Sequence, residues 1–402
     1  MTTSILNGTG NTALAFSDEQ SMLLDSAKSF CGDKSDINAV RSLLKSDSGH
    51  NPKVWQEMVA LGWTGIAIPE QYGGFDMGLG STVPVIESMG RHLLGTAFIT
   101  STLAAQAILR GGSEAQRQQW LPKVVEGTVG SMALLDNEDW GAKLCGVTAT
   151  LSTNNSESDS SSDNTSDSTS KIIVLSGKKL LVADATVADF FVVSINHNGN
   201  PALAIVDASQ LAEGAITANT LIDETKRAAT VDFTGVTISP DALLPHSEQA
   251  LKDVRLIGAL LIAAEATGTS AATLDCIVSY LTSRIQFGRL IGSYQSLKHP
   301  TVEILLQMDS ARSLIYHAAT LFDKGLDEGP VEADTEIACR MAKAQATETL
   351  LFAGDRAVQF HGGMGFTYDC DAMLYIRRAQ WAQHQYGDAQ HHRLHLARLL
   401  LD

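Results

Sequence analysis

Long apolar runs are missing from this 402-residue chain, although 44% of its residues are hydrophobic. No stretch reaches the roughly 18 consecutive apolar residues that read as a membrane-spanning helix, so no span is expected. The first residues, MTTSILNGTGNTALAFSDEQ, lack a basic segment followed by an apolar core and are not arginine-rich. That argues against secretion and organelle import and points to the cytoplasm. Cysteine is sparse: Cys31, Cys145, Cys276, Cys339 and Cys370 are odd in number and form no C-x-x-C pair. Reduced thiols are expected and a metal centre is not. Basic charge is short as well, with 29 Lys and Arg against 45 Asp and Glu and a net charge of −16. A nucleic-acid binder needs a basic face, so that class is excluded, whereas a phosphorylated ligand needs only a local basic spot. A Walker loop and a G-x-G-x-x-G after a strand are also absent, which disfavours a mononucleotide-binding α/β fold.

What is present falls into three stretches: an all-α domain over 1–128, a β-domain over 129–245 and a helical bundle over 246–402. In the first, Ser17 or Asp18 is placed to cap a helix whose apolar spacing (Met22, Leu23, Ala27, Phe30) is helical. Segments 79–94 and 96–111 share that spacing, and Ser113 caps a further short helix. The second stretch changes period. Short β-branched or aromatic runs at 147–151, 172–175, 190–193, 202–206 and 230–233, bounded by turn residues, predict a small sheet or barrel. Between the first two of them, 152–170 contains only Ser, Thr, Asn, Asp and Glu, apart from its flanks. With nothing to bury, it reads as a disordered hairpin excursion. The third stretch predicts helices at 249–284, 294–324, 331–360 and 371–402, broken between the second and third at 325–330, and hence a four-helix bundle. The fold class is α+β.

Four motifs carry a family resemblance. They are Leu61-Gly62-Trp63 with Ile68-Pro69-Glu70-Gln71-Tyr72-Gly73-Gly74; Gly112-Ser113-Glu114-Ala115-Gln116 with Trp120-Leu121-Pro122; Arg284-Ile285-Gln286-Phe287-Gly288 with Gln295; and Gln359-Phe360-His361-Gly362-Gly363-Met364-Gly365-Phe366. In order and spacing the chain resembles the acyl-CoA dehydrogenase family, the acidic insert excepted. The resemblance implies FAD, an acyl-CoA substrate, an electron-transfer flavoprotein as electron acceptor, and a homotetramer or a heterotetramer with a paralogous subunit. It implies that Arg284, Gln286, Phe287, Gln295, Gln359, Gly362 and Gly363 hold the adenine half of a neighbouring subunit's FAD. The chemistry agrees: a planar guanidinium suits a pyrophosphate, and glycines let backbone approach a dinucleotide. Taken singly, Arg284 also reads as a helix-end residue in a surface ion pair.

The implied reaction removes the α-proton of the thioester with a carboxylate while a hydride leaves the β-carbon. By resemblance, Tyr386 stands at the usual base position and is followed by Gly387. Gly258 stands at the alternative base position, and Ala259 where a substrate-contacting Arg follows. Asp136-Asn137-Glu138 and Leu181-Val182-Ala183 replace two flavin-contacting motifs. Tyrosine, with a pKa near 10, is a poor base at neutral pH. Two carboxylates are candidates in its place. Asp388 lies two residues on and reads equally as a helix N-cap; Glu265 lies two turns along the first bundle helix and reads equally as the partner of an Arg such as Arg312. Asp253 and Arg255 fall one turn before the substrate positions. His391, His392 and His395 have i, i+4 spacing but no accompanying Glu motif, and a solvated helix face is expected. The leading expectation is an enzyme, an acyl-CoA dehydrogenase that oxidises its substrate to the 2-enoyl-CoA; the alternative is a catalytically silent subunit that completes a partner's FAD site.

Overall fold

The computed structural model describes residues 18–46, 48–137, 140, 145–153, 171–324 and 331–401. Ser17, most of the acidic insert and the 325–330 break lie outside these.

Six helices open the chain: α1 (Asp18–Lys34), α2 (Ile37–Leu43), α3 (Pro52–Ala60), α4 (Val83–Arg91), α5 (Phe98–Gly111) and α6 (Glu114–Val125). Their starts follow local chemistry. Asp36 caps α2 by accepting from the N–H groups of Asn38 and Ala39. Asn51 caps α3, with Pro52 in its first turn. Ser113 caps α6 in a capping box: Oγ accepts from the Gln116 N–H, while the Gln116 amide oxygen accepts from the Ser113 N–H, satisfying two otherwise orphaned donors.

The strands are β1 (Gly130–Ala133), β2 (Thr148–Thr153), β3 (Lys171–Ser176), β4 (Lys178–Ala183), β5 (Phe190–His197), β6 (Asn200–Asp207), β7 (Ile216–Ala218), β8 (Ala228–Asp232) and β9 (Thr237–Ile238). One sheet runs β1-β5-β2-β3-β9, with β6 also on β5, and a second runs β4-β8-β7. They share a core that includes Phe191, Phe233, Val193 and Val231. Strands β1, β4, β7 and β9 go beyond the expected runs. β4 reads Lys-Lys-Leu-Leu-Val-Ala and β1 only four residues, so neither stands out locally. The acidic insert joins neighbouring antiparallel strands, whose pairing runs out to Thr153 opposite Lys171.

Four helices were expected in the last stretch. Helix α7 (Ser247–Leu281) is followed by a two-stranded hairpin, β10 (Ile285–Gln286) and β11 (Arg289–Leu290), then α8 (Gln295–Lys324) and α9 (Ala333–His361). The fourth is two helices, α10 (Ala372–His384) and α11 (Ala389–Leu401). The break occurs because Gln385 is extended and Tyr386 and Gly387 are left-handed, with φ of 57° and 96°. By length and composition alone α7 could cross a bilayer, yet its apolar window is wholly buried within the protein. It packs against α4, α5, α8, α9 and α10. A Cβ at Gly268 would run into the Glu87 backbone, and one at Gly90 into that of Glu265. The two glycines therefore let α4 and α7 touch main chain to main chain.

Candidate functional site

At the end of α7 the chain turns into the β10–β11 hairpin, with Phe287 and Gly288 both at positive φ (53° and 77°). Two successive left-handed residues are the geometry of a tight two-residue hairpin. Glycine adopts it freely and phenylalanine does not, and Phe287 is also 90% exposed. Arg284, Gln286 and Gln295 are exposed as well, and the Arg284 guanidinium has no hydrogen-bonding or ionic partner among the described residues. The Gly-rich turn lies at the same end of the bundle. His361, in the last turn of α9, stacks on Tyr280 of α7 with ring centroids 4.1 Å apart. Gln359 is exposed, and no atom lies within 4 Å of where a Cβ would stand on Gly362 or Gly363. The sequence-predicted cofactor residues thus lie at one end of the bundle and offer an unpaired guanidinium, free amides and open backbone. Those groups fit the pyrophosphate-bearing half of a dinucleotide.

Behind this face a cleft of about 510 Å³ is lined by Arg91, Asp275, Cys276, Ser283, His361 and Tyr375, among others. Its charges are already answered: Arg91 pairs with Asp275, and Asp371 with Arg41 at 2.6 Å. Burial pushes the Cys276 thiol up to about 12, so it is not a nucleophile at neutral pH.

The position assigned to the base looks different. The Tyr386 ring lies over α7 at Gly258, where a Cβ would sit 2.5 Å from Cε1 and 2.6 Å from Cζ. On its other contact it meets Trp140, with centroids 4.7 Å apart and planes inclined by 36°. Burial, with the nearby Asp184 carboxyl, pushes the phenol pKa up, away from any use as a base. The loop carrying it is held by Lys343, fully buried on α9, whose Nζ donates to the carbonyls of Ala382 (3.0 Å), Gln383 (3.3 Å) and Gly387 (2.9 Å).

The two candidate carboxylates are both engaged. Asp388 accepts from the His391 N–H at 2.7 Å and caps α11. Glu265 is fully buried and holds Lys226 at 2.5 Å and Arg378 at 3.0 Å. Arg312, its expected partner, instead binds Glu87 across to α4. Arg378 also binds Asp223 at 2.6 Å and the Thr225 hydroxyl. Burial alone would raise the Glu265 pKa, but Lys226 and Arg378 outweigh it and hold the carboxyl low, which suits a charge partner and not a proton acceptor. Asp253 is likewise paired, with Arg110 at 3.3 Å, whereas Arg255 leaves a buried Nε without a partner.

Asp184 was not singled out from the sequence. It follows directly on Leu181-Val182-Ala183, is left-handed (φ 54°), and accepts from the Thr100 hydroxyl at 3.1 Å. Burial raises its carboxyl to about 6, against the lowering pull of Lys226 and Thr100. Its one sequence signal is an acidic residue directly after an apolar strand. Leu181, in the same motif, is also left-handed (φ 47°), and at the other replaced motif Asp136 takes the buried Lys179 at 2.5 Å. Of the three histidines, His392 departs from the expected solvated face: it is buried, and burial with neighbouring Lys343 and Arg340 pulls its pKa down to about 2. His391 and His395 meet with ring centroids 4.4 Å apart and planes inclined by 41°, and no group of three or more metal-ligating side chains occurs among the described residues.

Comparison with known proteins gives two family matches. One is to "Acyl-CoA dehydrogenase, N-terminal domain" over residues 17–128, the other to "Acyl-CoA dehydrogenase, C-terminal domain" over 256–401. The acyl-CoA dehydrogenase IpdE2 of Mycolicibacterium smegmatis is 25% identical over 364 residues, covering 90% of this chain and 93% of the relative. Among solved structures, the Tcur3481-Tcur3483 steroid ACAD G363A variant is similar with a TM-score of 0.80 and 25% identity, over 95% of this chain and 98% of that one. A chain of the ChsE4-ChsE5 complex from Mycobacterium tuberculosis shares the fold, with a TM-score of 0.81 at 19% identity, over 96% and 98%.

Proposed function

We propose, because the chain belongs to the acyl-CoA dehydrogenase family, that it serves the FAD-dependent α,β-dehydrogenation of an acyl-CoA thioester to its 2-enoyl-CoA. Electrons then pass to an electron-transfer flavoprotein. Its own part in that reaction is to complete the FAD site of a paralogous partner while remaining catalytically silent itself. One contrast carries this reading. The face for a neighbour's cofactor is open and unpaired, whereas the position assigned to the base holds a buried Tyr386 packed on Gly258 and Trp140.

FAD, when bound, supplies the acceptor for the β-hydride. Arg284 would hold its pyrophosphate through paired charge-assisted bonds, Gln359 would offer an amide, and Gly362 and Gly363 would let the main chain approach it closely. Phe287 would cover apolar surface that is otherwise exposed to water. The alternative, in which this chain oxidises substrate by itself, needs a base with a pKa near the working pH and reach to the α-carbon. Asp388 is engaged as a helix cap, and Glu265 holds two cations through Oε1 while its buried Oε2 has no partner among the described residues, so both carboxyls already carry structural bonds as folded. A two-protein assembly is supported by the Tcur3481-Tcur3483 relative, whose name gives two components.

The test is purification of the chain alone and together with a paralogue that carries a glutamate at the position of Tyr386. Flavin absorbance and its bleaching by a panel of acyl-CoAs are read in each case. Bleaching only in the mixed preparation is the expected outcome; bleaching of the isolated chain overturns the silent role.

A further inference from the structure

We infer that Tyr386 is an internal plug, which keeps the acyl thioester out of this chain's own pocket and is built in by matched changes at two other positions. The inference rests on the silent-subunit reading and says how that silence is maintained.

Three observations converge on the ring. First, it lies so close over Gly258 that any side chain there would have to displace it. Residues 258 and 386 come from different elements, 128 positions apart, so their fit is a tertiary match and not a local one. Second, Trp140 packs on the ring, burying further aromatic surface; such pairs contribute beyond their area alone. Third, Tyr386 is held in a left-handed conformation that a bulky residue adopts only when its surroundings impose it. The imposing group is Lys343, whose ammonium binds carbonyls on both sides of the residue.

The surroundings complete the closure. Asp184, whose field reaches the Tyr386 phenol, belongs with Lys226 and Glu265 to a buried charged cluster in which Lys226 binds Glu265 Oε1 and Glu265 Oε2 has no partner among the described residues. An acyl chain entering beside Tyr386 would have to part the aromatic pair or desolvate that cluster without replacing its bonds. Both are unfavourable for an apolar ligand. The ring thus occupies the space between α7 and the β-domain edge that a flat thioester would need.

The test uses the purified full-length chain, with octanoyl-CoA and free CoA as probes and calorimetry, with intrinsic tryptophan fluorescence, as readouts. Tyr386→Gly suits the left-handed backbone, and Tyr386→Asn is a second variant that tolerates it should the first fail to fold. At least tenfold tighter binding of octanoyl-CoA than by the unmodified chain is expected in either, with free CoA unchanged. Gly258→Ala should lower the melting temperature of the unmodified chain by several degrees and have much less effect beside Tyr386→Gly, since the clash is then gone. Equal octanoyl-CoA binding with and without Tyr386, including none in either, overturns the plug, as does strict additivity of the two substitutions. Bleaching of the isolated unmodified chain's flavin by an acyl-CoA would instead overturn the silent role, a distinct outcome read separately from binding.

Discussion

The Lys343 ammonium donates to the Gly387 carbonyl at 2.9 Å from 44 residues away, tying the middle of α9 to the turn between α10 and α11. Its other two bonds take the carbonyls of Ala382 and Gln383, which the end of α10 leaves without intrahelical partners. Burial pulls the Lys343 pKa down to about 7, countered in part by Asp388. Three carbonyl acceptors can all be served at once only by the protonated amine, since the neutral amine has one N–H fewer, so they favour the charged form.

Lys343→Met preserves the stem of the side chain and removes all three donors. Buried carbonyls without partners cost about 1–3 kcal/mol each, and partial relaxation of the turn recovers some of that. A loss on the order of 3 kcal/mol in urea-unfolding stability is expected. Lys343→Arg, with planar donors that do not match three converging carbonyls, should recover less than half of it. A change below about 1 kcal/mol in Lys343→Met would mean that the turn is held by something else.

Asp184 makes stability depend on pH in a definite direction. Its carboxyl titrates near about 6 in the folded chain, above the roughly 3.9 of an unfolded Asp. The folded state therefore binds this proton more tightly than the unfolded state. The contribution is fully present below about pH 4 and is lost as pH rises through about 6. Asp184→Asn, which keeps the Thr100 contact, should remove this dependence. The stabilities of the two proteins should diverge between about pH 4 and 6.5, the variant gaining relative to the parent by on the order of 3 kcal/mol. Parallel curves across that range would show that Asp184 is ionised throughout. Comparing the pair cancels the opposite trend expected from His392, whose pKa is depressed on folding.

Arg284→Ala should weaken FAD retention in the complex with a paralogous partner. A lost charge-assisted phosphate contact costs about 1.5–3 kcal/mol, or tenfold or more in affinity. Arg312 is an unsuitable control, because it binds the buried Glu87 and its removal would unbalance α4. Arg398, exposed on α11, serves instead. Equal flavin-to-protein ratios for Arg284→Ala and Arg398→Ala after gel filtration would remove Arg284 from the cofactor face.

Much of this architecture was legible in the residues. The change from helical to strand period, the Ser113 cap, and the motifs at Arg284 and Gly362–Gly363 are local signals, and each sits where its spacing implied. The break at 385–388 was hidden because an amphipathic pattern continues through it; what ends α10 is a left-handed tyrosine held by a lysine on another helix. The partner of Glu265 was hidden for the same reason. An arginine one bundle helix away looked suitable, yet Lys226 and Arg378 reach it from the β-domain and α10. Trp140 and Asp184 acquire meaning only from what packs on them. Sequence period reports which face is buried, but not which charge or ring it meets there.

Asp388 and Glu265 remain the carboxylates by which the silent role stands or falls, and the structure gives them different phenotypes. Asp388 caps α11 through the His391 N–H, and Asn is as good a cap as Asp. Asp388→Asn should therefore leave stability within about 0.5 kcal/mol, while Asp388→Ala should cost about 1 kcal/mol. Glu265→Gln removes the anion between Lys226 and Arg378, leaving buried positive charge undercompensated, and a loss of about 3–5 kcal/mol is expected. In a complex with a paralogue that supplies the glutamate, neither substitution should abolish acyl-CoA bleaching of flavin, provided that the Glu265→Gln complex is assayed well below its melting temperature. General-base catalysis contributes about 10²–10⁴-fold, a loss too large to be mistaken for partial unfolding once the folded fraction is measured by circular dichroism. A drop of that size in Asp388→Asn, with full flavin occupancy and unchanged stability, would make Asp388 the base and this chain an enzyme in its own right.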